Sequence, residues 1–164
     1  MNVVVVDKND RVIGSKPRDE LLPTDIYRVS GIWVTNSKDQ VLLAQRQLGK
    51  RNDPGKWGPA AAGTVEPGET YETNAYKEAG EEIGLSGFEL KKGSKVLNDA
   101  GERAFFAQWF TCVVDWPIEK FKIQEDEVEK LEWVYKATLK KELKEQPDKF
   151  IAGSEKVWKD FLDL

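Results

Sequence analysis

One stretch constrains this chain more than any other. Gly63-Thr64-Val65-Glu66-Pro67-Gly68-Glu69 runs directly into Thr70–Ile83, which reads as a helix. Thr70 can cap its N-terminus and Gly84 sits where a left-handed glycine ends a helix. Gly80 within it is a local flaw, costing about 1 kcal/mol relative to Ala. Ala75, Ala79 and Ile83 form an apolar stripe able to dock this helix on a sheet. Glu78, Glu81 and Glu82 stand at i, i+3 and i+4. At about 100° per residue they fall within one arc of the helix. Like charges so spaced repel by a few tenths of a kcal/mol per pair. A hard divalent cation among them turns that repulsion into binding, since Mg²⁺ and Mn²⁺ take oxygen ligands. A solvated acidic face is the plain alternative; the Gly-rich entry loop ending in Glu69 favours the cation.

Residue counts remove most other chemistry. The chain of 164 residues has no histidine and one cysteine, Cys112. Ser-His and Cys-His nucleophile pairs, histidine bases and cysteine or histidine metal sites are therefore absent. A net charge of −4 gives no global attraction to a nucleic-acid polymer or an anionic membrane. No apolar run approaches the roughly 20 residues that cross a bilayer. The opening Met1–Asp7 has no basic segment before its short apolar stretch, so no cleaved signal peptide is expected and cytoplasm is the default location. An enzyme of this composition works with carboxylates, lysines, arginines and a hard metal ion.

Along the chain there is no repeat and no Gly/Pro/Ser-rich linker, so residues 1–164 are expected to form one domain. Val3–Asp7 and Val12-Ile13 read as a hairpin around a turn-prone Asp7–Asp10. Tyr27–Thr35 and Val41–Ala44, joined by Asn36–Asp39, read as a second hairpin. Gln45–Gly55 is polar and basic; Trp57–Val65 is rich in Gly, Ala and Pro. Further strands are expected at Gly87–Val96, Ala104–Val114 and Leu131–Tyr135, the last preceded by an acidic loop from Ile123. Two helices finish the chain, about Ala137–Glu145 and one after Ser154 with Val157, Trp158, Phe161 and Leu162 on its apolar face. The expected fold is α+β or α/β: a mixed sheet with helices on both faces.

The central stretch resembles the Nudix box: Gly, five residues, Glu, seven residues, Arg-Glu, an apolar residue, any residue, Glu-Glu, any residue, Gly and an apolar residue. Gly63, Glu69, Glu78, Glu81, Glu82 and Gly84 hold those places, with Leu85 last. Lys77 stands in the arginine place and offers a point charge where arginine offers a fork. Gln45-Arg46, Lys50, Pro54-Gly55, Trp57 and the late Glu125-Asp126-Glu127-Val128 with Trp133 are similar to the branch that includes isopentenyl diphosphate isomerase and hydrolase relatives. The resemblance covers roughly Val3–Trp133 and implies an α/β/α sandwich.

The resemblance also implies two chemistries. The isomerase uses a cysteine just before the box glycine and nearby histidines; here those places hold Ala62 and Thr64. Alanine has no proton to give, which favours hydrolysis of a diphosphate linkage in a nucleoside di- or triphosphate or a nucleoside diphosphate derivative. Isomerase-like activity and a non-catalytic nucleotide-binding module are the alternatives. For hydrolysis, Glu78, Glu81 and Glu82 are the expected ligands of Mg²⁺, with Mn²⁺ the other ion such oxygens accept. Glu69 is a candidate base, and Glu127 a further acid reaching the metal, with Glu125 and Asp126 beside it. Arg46, Lys50 and Arg51 would meet phosphate. Trp57 would touch the substrate, and Trp57, Trp33 and Trp109 are candidates for stacking a base, with the core as the alternative place for aromatics beside strands. Gly63, Gly68, Lys77 and Gly84 would give the box its shape. The expected partner is a small diphosphate or nucleotide, not a nucleic-acid polymer or a membrane, and a homodimer is compatible with so small a domain.

Overall fold

In a computed structural model, which describes residues 1–99 and 101–164, the chain builds a nine-stranded mixed sheet. The strands are β1 (Asn2–Val6), β2 (Val12–Pro17), β3 (Ile26–Thr35), β4 (Gln40–Arg46), β5 (Trp57–Pro59), β6 (Ala61–Thr64), β7 (Lys91–Asn98), β8 (Ala104–Val113) and β9 (Val128–Tyr135). The helices are α1 (Tyr71–Ile83), α2 (Lys136–Glu145), α3 (Ser154–Val157) and α4 (Lys159–Leu162). The first hairpin forms as expected.

β3 organises the rest. One of its edges pairs in parallel with β8 from Ile26 to Thr35. The other edge is shared in turn by β1 at Ile26 and Tyr27, by β6 from Val29 to Ile32, and by β4 at Thr35 alone. The expected second hairpin therefore does not form as a full pair. β6 occupies the edge that β4 would need, and β4 pairs instead with β9 and β5. The divergence of β3 and β4 opens a gap, and the small residues of 57–64 fill it as short strands.

Period-two alternation gives the sheet two apolar faces. Ile32, Val34, Leu42, Ala44, Phe110 and Cys112 pack beneath Ala75, Ala79 and Ile83 of α1. Trp33, Val41, Leu43 and Trp109 face the other way, against Leu139 and Leu143 of α2 and against Trp158 and Leu162. The result is an α/β/α sandwich. The last helix is broken: α3 and α4 are separated at Trp158, whose indole lies 5.2 Å from that of Trp33, while Phe161 stacks on Trp33 at 4.8 Å.

The N-terminus of α1 is fixed by a second device. Thr70 Oγ1 accepts from Thr73 N–H at 3.1 Å, and Thr73 Oγ1 accepts from Thr70 N–H at 2.9 Å, a reciprocal cap. Asp10, in the β1–β2 turn, accepts from Arg28 Nε at 2.8 Å, Lys95 Nζ at 2.7 Å and the Tyr71 hydroxyl at 3.0 Å. Its side chain is only 6 % exposed. Burial raises its pKa, but the hydrogen bonds from Lys95, Arg28 and Tyr71 outweigh burial and hold the carboxyl below its ordinary value. A depressed carboxyl adds stability above its unfolded value of 3.8, and that stability is lost as pH falls through the folded value. Asp10→Asn should therefore cost about 2 kcal/mol near neutral pH. Urea titrations from pH 7 down to pH 3 should show the gap between the two proteins closing as the pH falls.

Candidate active site

The site assembles where α1 ends over β6. Ala60-Ala61-Ala62-Gly63 lets the helix approach closely: a Cβ on Gly63 would lie 2.2 Å from Glu78 Cγ and 2.6 Å from its Oε1. The Glu78 side chain thus occupies the space of a missing methyl group. Glu82, one turn on, accepts a hydrogen bond from the Ala62 backbone N–H and shares a hydrogen bond with Glu78. Burial, then the neighbouring Glu78 charge, pushes the Glu82 carboxyl far above the usual carboxylate range. Glu78 is also raised, chiefly by burial. Like charges in a low dielectric cannot both ionise without a counter-charge, so the pair retains a proton. Glu81 is on the same arc but solvent-exposed.

The C-terminus of α1 brings in the acidic loop. Gly84 adopts φ 67°, and a Cβ there would come within 3.0 Å of Lys122 Cβ. With no side chain in the way, Lys122 N–H donates to Ile83 O at 3.1 Å and Gln124 N–H to Glu82 O at 2.9 Å. Helix-end carbonyls that lack intrahelical partners are satisfied by the loop itself. This docking carries Glu127 to the cleft opposite Glu82. Glu125 and Asp126 are exposed and do not line it. The cleft is about 90 Å³, and Gln45, Arg46, Ala62, Glu82, Glu127 and Ile151 are among its walls.

The basic residues separate into different settings. Arg46 lines the cleft and donates through Nε to Asn52 O at 2.9 Å, which leaves the outer guanidinium nitrogens for a ligand. Lys50 Nζ pairs with Glu127 Oε2. Arg51 is exposed and outside the cleft walls. The tryptophans differ from expectation. Trp57 is 9 % exposed, Trp33 3 % and Trp109 5 %, all within the core under α2, because their strand positions face that side. None is placed to stack a base; Trp57 contributes its backbone carbonyl, which accepts from Ile151 N–H at 2.9 Å.

Lys77 gathers the entry loop. Its Nζ lies 2.6 Å from Glu66, 3.0 Å from Glu69 and 3.9 Å from Glu78. Glu69 is held at its other oxygen, accepting from Glu66 N–H at 2.8 Å and Asn74 Nδ2 at 3.4 Å. Both Glu69 oxygens are thus engaged in the loop. Gly68, at φ 86°, makes the turn that precedes Glu69. Sequence reasoning missed Asn74, Ile151 and the Ala62 N–H. The run of small residues at 60–63 was the signal for a close approach.

The donors fit a hard divalent cation. Two partly buried carboxylates face each other with a backbone N–H as their polar partner, and Gly63 leaves their space clear. Among the described residues no three acidic groups converge tightly enough to enclose an ion unaided. Magnesium-type ions are held by one or two carboxylates completed by water and substrate phosphate.

Known proteins resemble this chain in sequence and in fold. The model of the NUDIX domain matches residues 26–153. A Nudix hydrolase of Pseudomonas aeruginosa is 31% identical over 130 residues, covering 79% of this chain and 75% of its own length. An isopentenyl-diphosphate Delta-isomerase of Corynebacterium diphtheriae is 30% identical, covering 80% and 77%. Among solved structures, a Deinococcus radiodurans protein superposes with a TM-score of 0.77 at 20% identity, covering 89% of this chain and 90% of that one.

Gly63→Ala tests the packing that makes the site. The obstructed atoms belong to one side chain, which can move aside, so the thermal midpoint should stay within a few degrees. Glu78 must leave its seat, and divalent-ion affinity read by calorimetry should fall at least tenfold, on the order of that for losing one ligand's orientation.

Proposed function

Starting from the fact that this chain belongs to the Nudix family, as a hydrolase acting on pyrophosphate bonds, we propose that it uses Mg²⁺ to hydrolyse the diphosphate linkage of a nucleoside di- or triphosphate or a nucleoside diphosphate derivative. Nudix hydrolases generally use divalent metals. The observation that carries the reading is the partly buried Glu78–Glu82 pair, whose Glu82 lines one cleft with Glu127 and Arg46. Glu78, Glu81 and Glu82 would hold the ion, Glu82 innermost because its carboxyl is the most enclosed. The ion, when bound, neutralises phosphate charge and acidifies water.

The chain's own groups supply the rest. Arg46 presents a fork to phosphate oxygens, and Lys50 adds a charge that substrate phosphate draws from Glu127. Glu127, so released, takes the proton of the attacking water. Water adds to phosphorus, the bridging P–O bond breaks, and the two phosphate products leave. Glu66, Glu69 and Lys77 keep the entry loop in shape, and Arg51 adds positive charge outside the cleft.

The isomerase relative raises a second reading, which the residues disfavour. Ala62 stands before the box glycine, and Cys112 is buried in β8 among apolar side chains, with burial pushing its thiol up to about 11. Neither can give a proton to a substrate in the cleft.

Release of phosphate or of a nucleoside monophosphate from a panel of nucleotides, with Mg²⁺ and with Mn²⁺, tests the reading. Glu81→Gln and Glu82→Gln should each lower turnover by orders of magnitude, about the factor seen when a metal ligand or its charge is lost. Thermal unfolding without metal should be nearly unchanged in both variants. Full Mg²⁺-dependent turnover in both variants rejects the assignment, and inertness of the unaltered protein toward the whole panel leaves a binding module.

A further inference from the structure

The face of α1 that carries the acidic pair holds one more polar side chain. Asn74, Glu78 and Glu82 stand at i, i+4 and i+8, so successive turns of the helix present them on one side. β6 receives them in reverse order. Asn74 Nδ2 donates to Thr64 O at 3.1 Å, Glu78 sits over the bare Cα of Gly63, and Glu82 accepts from Ala62 N–H. Successive turns of helix thus meet consecutive residues of strand.

Asn74 is wholly buried. Its Nδ2 also donates to Glu69 Oε1 at 3.4 Å, so a single amide nitrogen joins helix, strand and entry loop. Both partners are acceptors, which fixes the nitrogen as the end that faces them. Oδ1 is left buried with no partner among the described residues. An unpaired buried acceptor costs stability, and an apolar side chain of similar shape would avoid that cost. Packing alone therefore does not account for an asparagine at this position.

The other contacts of α1 do not set its register on β6. Ala75, Ala79 and Ile83 hold the helix down, but apolar attraction is non-directional, and two alanines offer little to stop a slide. Ser30 Oγ donates to Tyr71 O at 2.7 Å and the Tyr71 hydroxyl donates to Asp10 at 3.0 Å, which fastens the first turn to β3 and to the β1–β2 turn. Asn74 reaches β6 itself, and its target is anchored, since Arg18 Nη1 donates to Thr64 Oγ1 at 2.8 Å.

We infer that Asn74 is a positioning residue of the divalent-cation site: its amide sets the slide and rotation of α1 on β6, and so seats Glu78 over Gly63 and Glu82 at Ala62. It touches neither ion nor substrate and acts through the two carboxyl groups. The inference rests on the metal-dependent hydrolase reading and deepens it, adding the device that keeps the pair in place.

Mn²⁺ uptake by the full chain, read by calorimetry, tests this in a cycle of Asn74→Leu, Gly63→Ala and the double variant. Asn74→Leu should weaken Mn²⁺ binding about tenfold. Its thermal midpoint should stay within a few degrees, because the lost donor and the removed unpaired acceptor offset each other. With the seat already lost, Gly63→Ala should add little, leaving the double variant within about twofold of Asn74→Leu. Asn74→Ser, whose hydroxyl is too short to reach Thr64 O, takes the place of the leucine variant in the cycle if that variant does not fold. Undiminished Mn²⁺ affinity in the Asn74 variant overturns the inference. So does a full tenfold further loss on adding Gly63→Ala, which shows the pair still seated. If the unaltered protein takes up no divalent ion, the metal-dependent reading fails by itself. The crystal structure of Asn74→Leu then decides: Glu78 displaced from Gly63 supports the inference, and Glu78 still over it overturns it.

Discussion

Two carboxyl groups that cannot both be charged are held together where water is scarce, and the rest of the site is arranged around that fact. Glu78 and Glu82 share a hydrogen bond at the end of α1, with the Ala62 N–H and the bare Cα of Gly63 as neighbours. In isolation this arrangement costs stability, because burial disfavours the charged form of each. It persists because Ala75, Ala79 and Ile83, none measurably exposed, fasten the helix to the sheet. Core packing thus sustains a local electrostatic strain that a divalent cation would relieve. Such a helix gains cation affinity in proportion to what it gives up in the metal-free state.

The neighbouring charge, Lys77, is kept away from this relief by its own partners. Its ammonium sits among Glu66, Glu69 and Glu78, closest to the loop acids. Hydrogen bonds from Lys77 to Glu66 and Glu69 outweigh its burial and raise its pKa, so the cation stays charged throughout the useful pH range. A lysine cannot grip Glu69 with two nitrogens as an arginine would. Asn74 and the Glu66 N–H supply the missing directionality, fixing the oxygen that Lys77 does not reach. The cost falls on Asn74, whose Nδ2 is committed to Thr64 O and Glu69 and whose buried Oδ1 has no partner among the described residues. Loop order here is shared by three groups where one could have served.

Local signals in the sequence were sufficient for the elements whose causes are local. Thr70 and Gly84 mark the ends of α1 because capping depends on the residues at the ends. The alternation of residues 32–34 and 41–44 announces two buried faces because a strand has period two. What the sequence withheld depends on partners distant along the chain. Asn36–Asp39 reads as a hairpin turn, yet β4 leaves β3 after Thr35 because β6 competes for the same edge. Trp57 reads as a residue that touches the substrate, yet its strand register turns it into the core, where Phe150 arrives from nearly one hundred residues later. Glu127 could be singled out from an acidic run by resemblance, but the cause of its placement, the docking of Lys122 and Gln124 on the end of α1, is not written in that run.

The position before the box glycine explains how one framework serves relatives with different chemistry. Ala62 holds Glu82 through its backbone N–H, a contact that any residue other than proline can make. Its side chain is exposed and takes no part in that hold. Placement of the carboxylates is therefore independent of which side chain stands at 62. A proton donor can be present or absent there without disturbing the carboxylate pair. With alanine, the cleft retains its acidic groups and Arg46 but has no acid on the side chain at position 62. What position 62 decides is therefore the supply of an extra acid, and not the placement of Glu78 and Glu82.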